Sequence, residues 1–108
     1  VRGAASELRA YFAPHVAFAP VVPALEGAAL EGGRNCTFGD AKANLLTYRR
    51  EGRRLSLFVL ESAPDVAPGC TDGGGEGVCV RHEGGLTLML VGEGAPATLE
   101  PVLASARL

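Results

Sequence analysis

The spacing of apolar residues along the chain changes from a helical period to an alternating one near residue 28. In residues 6–13, apolar side chains recur at helical spacing, which predicts a short helix that Pro14 ends. Residues 18–23, FAPVVP, contain two prolines, each of which lacks the donor that a β-ladder needs. This stretch is therefore predicted to be an extended crossover on the surface rather than a central strand.

Beyond residue 28, apolar and polar residues alternate, as is typical of strands with one buried face. Residues 28–38 predict two short strands that turn at Gly32-Gly33, a dipeptide that favours a tight hairpin. The remaining predicted strands pair as two hairpins, 43–49 with 53–61 and 78–83 with 86–91, the second turning at Gly84-Gly85.

A closing helix is predicted at the end of the chain, with Thr98 as its N-cap and Pro101 in its first turn. Its apolar face would consist of Leu99, Val102, Leu103 and Ala106. One helix at each end of successive hairpins predicts an α+β fold, with an antiparallel sheet of about five to six strands. The 108 residues are expected to form a single domain, 1–108.

Composition and charge narrow the classes of partner. Hydrophobic residues at 47% and charged residues at 20% indicate an ordinary globular protein. A net charge of −2 provides no general attraction to nucleic acid or anionic lipid, so no nucleic-acid partner is predicted. The chain begins Val-Arg-Gly without an initiator Met, which indicates a piece excised from a longer protein.

The stretch CTDGGGEGVCVRH, residues 70–82, is the first candidate for chemistry. Cys70 and Cys79 do not have zinc-ligand spacing, and on a strand Cys79 and His82 would point to opposite faces. The glycine run lacks the Lys-Ser/Thr of a phosphate-binding loop. The stretch therefore predicts no metal site and no cofactor.

A structural disulfide between Cys70 and Cys79 fits this stretch better. The glycine-rich gap between them closes easily, and a bridge would stabilise the fold by roughly 2–3 kcal/mol in the chain-entropy model. Three cysteines allow three alternative single bridges. Cys36 lies in a predicted strand, where it also fits a small buried residue without a bridge.

No catalytic constellation is evident along the chain. The serines lie outside any Gly-x-Ser-x-Gly turn, His15 follows a helix-ending proline, and the neighbours His82 and Glu83 would point apart on a strand. We therefore predict that the protein is not an enzyme.

Four arginines, Arg49, Arg50, Arg53 and Arg54, concentrate positive charge at one hairpin tip. Such a cluster forms either an interaction patch for an anion, a lipid headgroup or an acidic partner, or a charged turn that keeps a sheet edge soluble. The second interpretation is favoured. No aromatic side chains alternate with the arginines, which argues against single-stranded nucleic acid.

Several stretches follow one another in a recognisable order, beginning with LRAYFAPHVAFAPVVPAL. The later ones are Gly32-Gly33-Arg34, Leu46-Thr47-Tyr48, residues 55–59 and residues 84–91, before the closing helix. Together they resemble the extracytoplasmic C-terminal domain of zinc-finger-type transmembrane anti-sigma factors. The zinc- and sigma-binding module of that family and its membrane-spanning helix have no counterpart in these residues, so neither is carried over.

The resemblance implies a non-enzymatic sensory or protein-interaction domain in the periplasm, tethered to the inner membrane through its parent protein. It would bind a protein partner or an envelope-stress ligand and relay the signal to a regulator of transcription. An oxidising compartment would favour the disulfide. A free sheet edge would allow a homodimer. The alternative is a periplasmic metal or redox sensor that uses Cys36, Cys70, Cys79 or His82.

Overall fold

The structure, a computed structural model that describes residues 2–61 and 65–107, confirms the α+β fold. One helix stands at each end of a single six-stranded antiparallel sheet. The elements are α1 (Ala5–Phe12), β1 (Ala29–Phe38), β2 (Ala41–Arg50), β3 (Arg53–Glu61), β4 (Gly69–Asp72), β5 (Glu76–Glu83), β6 (Leu86–Glu93) and α2 (Pro96–Ala104). Within these ranges, neither helix has the length and apolar character needed to cross a bilayer.

The sheet consists of two three-stranded meanders that meet at its centre. The strand order is β1-β2-β3-β6-β5-β4, and every neighbouring pair is antiparallel. The central pair is β3 with β6, in which Leu57 lies opposite Leu90. The two edges are therefore β1, with ten residues, and β4, with only four.

Two predicted hairpin turns are confirmed, and both have positive φ angles at their two central residues. Glu51 and Gly52, between β2 and β3, have φ angles of 53° and 76°. Gly84 and Gly85, between β5 and β6, have φ angles of 58° and 76°. Positive φ at both central residues is the requirement of the two-residue turn whose twist matches antiparallel strands, which explains the glycines.

The predicted turn at Gly32-Gly33 is wrong. β1 runs through both glycines as one strand, and its register with β2 shifts between Leu30 and Gly32, which leaves Glu31 as the extra residue of a bulge. A Cβ at Gly33 would lie 2.8 Å from Cζ of Phe12 and 2.9 Å from the carbonyl oxygen of Leu45. Gly33 thus allows helix α1 to approach the sheet, a tertiary requirement that local turn propensity does not reveal.

Two further differences from the predictions concern β4, β5 and α2. No strand was predicted between residues 61 and 78, whereas β4 and the start of β5 lie there. Helix α2 begins at Pro96 with Ala95 as N-cap, and Thr98 lies inside its first turn, donating its hydroxyl hydrogen to the Ala95 carbonyl at 2.7 Å. Proline is well tolerated at a first helical position because that N–H has no intrahelical partner. Pro101, predicted for the first turn, instead lies inside the helix, beyond its first turn.

The core lies between one face of the sheet and the two helices. The predicted apolar face of α2 is buried there: Leu99, Val102 and Leu103 from the helix, and Ala106 just beyond it. Helix α1 contributes Leu8 and Phe12, both fully buried. Strands β2, β3 and β6 contribute the opposing layer of Leu46, Tyr48, Leu55, Leu57, Val59, Leu86, Leu88 and Leu90.

The crossover at residues 18–23 lies outside the helices and strands, in keeping with its prolines, but it is packed against the core rather than laid on the surface. Val21 and Val22 are half-buried against the core, and Pro23 is buried. The hydroxyl of buried Tyr48 donates to the Pro23 carbonyl at 2.5 Å. Burial raises the pKa of Tyr48, so the hydroxyl keeps its donor hydrogen well above neutral pH.

We expect Tyr48→Phe to lower the free energy of unfolding by about 1–2 kcal/mol, because the buried Pro23 carbonyl would lose its hydrogen-bond donor. Urea unfolding followed by circular dichroism measures the change. Tyr11→Phe is the matched control, since Tyr11 is 39% exposed and should tolerate the change. Equal stability of the two variants would show that the Tyr48 hydroxyl does not anchor the crossover.

Candidate interaction surface on the open face of the sheet

The sheet has a second face that neither helix covers, which we call the open face. Because strand side chains alternate between faces, the pairing register fixes which residues share it. One row across the sheet runs through directly paired positions: Gly32, Thr47, Ser56, Val91 and Val78. Gly32 and Ser56 are small, whereas the neighbouring rows carry arginines and Phe58, so this row is a depression.

This depression is a cross-strand groove, with Gly32, Thr47 and Ser56 as its floor. On one side stand Arg49 and Arg54, which are directly paired between β2 and β3. On the other side stand Arg34 and Leu45, which are paired between β1 and β2. Two cavities of about 420 and 410 Å³ lie along it and share Arg54 and Ser56 as lining residues, so together they form one elongated groove.

The four arginines of the predicted hairpin-tip patch are divided by the strand alternation. Arg49 and Arg54 lie on the open face, and Arg53 reaches the second cavity of the groove. Arg50 lies outside the groove, beside Glu26 and close to helix α2. Its Nε is buried without a hydrogen-bond partner among the residues that the structure describes.

Two further arginines also line the groove, although no pattern in the sequence singled them out. Arg2 forms an isolated antiparallel bridge with Gly32, which brings the start of the chain to the first cavity. Arg34 lies two residues beyond Gly32 on β1 and therefore on the same face. The mistaken turn at Gly32-Gly33 concealed this relationship, because only a continuous strand places Gly32 and Arg34 side by side.

The bulge in β1 places Glu31 beside this basic cluster. Its carboxylate accepts a hydrogen bond from Nε of Arg49 at 2.9 Å. This hydrogen bond, together with the nearby charges of Arg49, Arg54 and Arg2, lowers the pKa of Glu31 below its ordinary value of 4.5. Glu31 is therefore engaged by Arg49.

The far end of the groove carries the opposite charge. Glu76 on β5 and Glu93 on β6 are directly paired and line the second cavity. Both are exposed. The groove thus carries arginines from β1 through β3 and ends at a glutamate pair on β6 and β5.

An apolar band lies beside the groove on the same face. The next row across the sheet pairs Leu45, Phe58, Met89 and Val80 in turn. The ring of Phe38 packs on that of Phe58, with centroids 6.3 Å apart, and Phe38 is 38% exposed. Leu45 and Met89 are buried, so Phe38, Phe58 and Val80 are the apolar side chains of this band that a partner protein could contact beside the charged groove.

Cys70 and Cys79 lie at disulfide distance, directly opposite each other in the pairing of β4 with β5. Their Cα atoms are 4.1 Å apart. The bridge ties the four-residue edge strand to its neighbour. Cys36 is free and half-buried, and burial raises the pKa of its thiol, which disfavours the reactive thiolate.

Both histidines hydrogen-bond to backbone carbonyls. Nε2 of His82 lies 2.7 Å from the Val66 carbonyl oxygen, and its Nδ1 lies 2.9 Å from Oγ1 of Thr87. Nε2 of His15 lies 2.9 Å from the carbonyl oxygen of Cys36, on edge strand β1. Because a carbonyl only accepts, each Nε2 carries the hydrogen. His82 is on the open face and Cys79 on the core side, as the alternation predicts.

Residues 2–61 and 65–107 contain no group of three or more histidine, cysteine or acidic side chains placed to hold a metal ion. No protein-family model matches the chain, and none of the curated proteins compared with it is significantly similar.

Replacing both bridged cysteines, as Cys70→Ala with Cys79→Ala, should lower the free energy of unfolding by about 2–3 kcal/mol, because the unfolded chain loses its loop constraint. Denaturant unfolding measures this loss. Cys36→Ala keeps the bridge and serves as control. Alkylation of unreduced, denatured wild-type protein should add one adduct per chain, whereas three adducts would contradict the bridge.

Carbon-13 NMR titration should place the pKa of Glu31 below 4.5, and Arg49→Gln should raise it toward that value. A depressed folded-state pKa contributes stability above the unfolded pKa, and this contribution disappears as the pH falls through the folded value. Arg9→Gln, on helix α1, is the control. An unchanged Glu31 titration in Arg49→Gln would rule out Arg49 as the main cause.

Proposed function

We propose that this chain is a non-enzymatic extracytoplasmic domain that senses a signal or binds a partner protein through the open face of its sheet. Its parent would be an anti-sigma-factor-like membrane regulator of transcription, which the segment order noted above resembles. The observation that carries the proposal is the open face itself, where a charge-ordered groove lies beside an apolar band.

The size of the open face supports a role in protein binding. Six strands spaced about 4.8 Å apart, each of about eight residues, give a flat area on the order of 600 Å². A stable interface covers roughly 800 Å² on each partner. Because the row of Ala43, Leu60 and Thr87 on this face is buried, the exposed part is smaller than either figure and suits a short partner segment better than a whole domain surface.

The cysteine pair supports the extracytoplasmic location, because disulfides persist in oxidising compartments and are rare in the cytosol. The engagement of both histidines with backbone carbonyls supports a role without catalysis, since these imidazoles hold structure in place. Tethering of the parent chain to the inner membrane belongs to the same proposal and rests on the resemblance alone.

Redox sensing through Cys70 and Cys79 is the second candidate. Cys70 is half-exposed on the short edge strand β4, where a reductant can approach it. Loss of the bridge would free β4 from its covalent link to β5. Cys36 fits this role less well, because burial disfavours its thiolate.

The decisive experiment introduces Phe38→Ser into the full-length parent gene and measures transcripts by RNA sequencing. Phe38 is 38% exposed on the open-face side, so the change should alter one narrow gene set several-fold while leaving the domain folded. Tyr11→Ser is the matched control, since Tyr11 is an aromatic of 39% exposure on α1, the helix side of the sheet.

Transcripts that match wild type in folded Phe38→Ser cells would contradict regulation through the open face. An effect of Cys70→Ala that is reproduced by reductant, in the absence of any effect of Phe38→Ser, would instead favour the redox candidate.

A further inference from the structure

Three arginines from three separate parts of the chain converge on the first cavity of the cross-strand groove. Arg2 precedes α1, Arg34 lies on β1 and Arg54 lies on β3. All three are exposed, and none forms an ion pair within residues 2–61 and 65–107. Their convergence depends on tertiary structure, because the bridge between Arg2 and Gly32 and the continuity of β1 through the glycines both contribute.

The chemistry of this end favours a carboxylate ligand. Guanidinium groups present planar N–H forks that match a carboxylate in two-point hydrogen bonds. The nearby carboxylate of Glu31 is held by Arg49, and the positive charges of Arg54 and Arg2 act on it as well. An acidic group from a ligand would therefore meet an excess of positive charge in the first cavity.

The length of the groove favours an extended peptide over a single ion. From β1 across β2, β3 and β6 to β5 there are four strand intervals, about 19 Å in all. An extended chain advances about 3.3 Å per residue, so about six residues span this distance. The hydroxyls of Thr47 and Ser56 on the floor can donate to and accept from such a backbone.

The glutamate pair at the far end of the groove determines where a basic residue of a bound segment would lie. Glu76 and Glu93 pair at the β5–β6 end of the second cavity, beyond the arginines that line its β2–β3 end, so a lysine or arginine of the ligand would be attracted at the β5–β6 end. A uniformly acidic segment would meet repulsion there. The charge pattern of the groove is therefore complementary to a segment with acidic residues at one end and a basic residue at the other.

We propose that the cross-strand groove binds an extended segment of about six residues from a partner protein, with acidic side chains at Arg2, Arg34 and Arg54 and a basic side chain at Glu76 and Glu93. This inference rests on the proposed function and specifies the chemistry of the partner.

The test is an amide NMR titration with the peptide acetyl-Asp-Asp-Ser-Gly-Ser-Lys-amide. We expect saturable shifts at Gly32, Thr47 and Ser56, weakening as salt is added. The uncharged analogue acetyl-Asn-Asn-Ser-Gly-Ser-Gln-amide should bind at least tenfold more weakly. Absence of saturable shifts at the groove, or equal affinity of the two peptides, would overturn the inference.

Charge reversal tests the residues directly. Arg34→Glu with Arg54→Glu should weaken binding of the first peptide at least tenfold. Adding Glu76→Lys and Glu93→Lys to this double variant should create a preference for acetyl-Lys-Lys-Ser-Gly-Ser-Asp-amide. Arg9→Glu with Arg107→Glu changes the net charge equally, away from the groove, and should bind like wild type. Should the reversed domain unfold on thermal melting, Arg34→Gln with Arg54→Gln provides the same comparison at lower cost to folding.

Inorganic phosphate is the competitor. If phosphate at the same concentration reproduces the groove shifts and displaces the peptide, the site holds a small anion and the peptide inference fails. The Phe38→Ser transcript result is independent of these titrations. Transcript changes without peptide binding would remove only this inference, whereas peptide binding without transcript changes would remove only the regulatory function.

Discussion

The pairing of β3 with β6 is the contact on which the rest of the structure depends. Each of these strands ends or begins a three-stranded meander, and their ladder is the only sheet contact that joins the meanders within the ranges 2–61 and 65–107. Leu57 opposite Leu90 and Val59 opposite Leu88 place apolar side chains under both helices. A slip of one residue would turn these side chains to the open face and expose them to water.

The same register produces the open face. With Ser56 opposite Val91 and Phe58 opposite Met89, the small-residue row and the apolar row continue from one meander into the other. The groove therefore belongs to both halves of the sheet, since Arg34, Arg49 and Arg54 come from the first meander and Glu76 and Glu93 from the second. Core packing and the candidate site are two consequences of one register.

The two edge strands of the sheet, β1 and β4, are protected in different ways. β1 has its outer side contacted by Arg2 at Gly32 and by His15 at the carbonyl of Cys36. β4 is short and is covalently tied to β5 through Cys70 and Cys79. Both arrangements limit pairing with another chain at an edge.

Local patterns in the sequence determined the elements whose signals are short-range. Period and turn chemistry alone predict the strands at 53–61 and 86–91, the Gly84-Gly85 turn and the apolar face of α2. The glycine-rich spacing between Cys70 and Cys79 likewise favoured their pairing. Tertiary structure decided the rest. Gly32-Gly33 carries a turn signal, yet both glycines lie within strand β1. Gly33 is a glycine because Phe12 packs where a side chain at this position would be. The groove could not be predicted from the sequence either, because Arg2, Arg34 and Arg54 become neighbours only through long-range strand pairing.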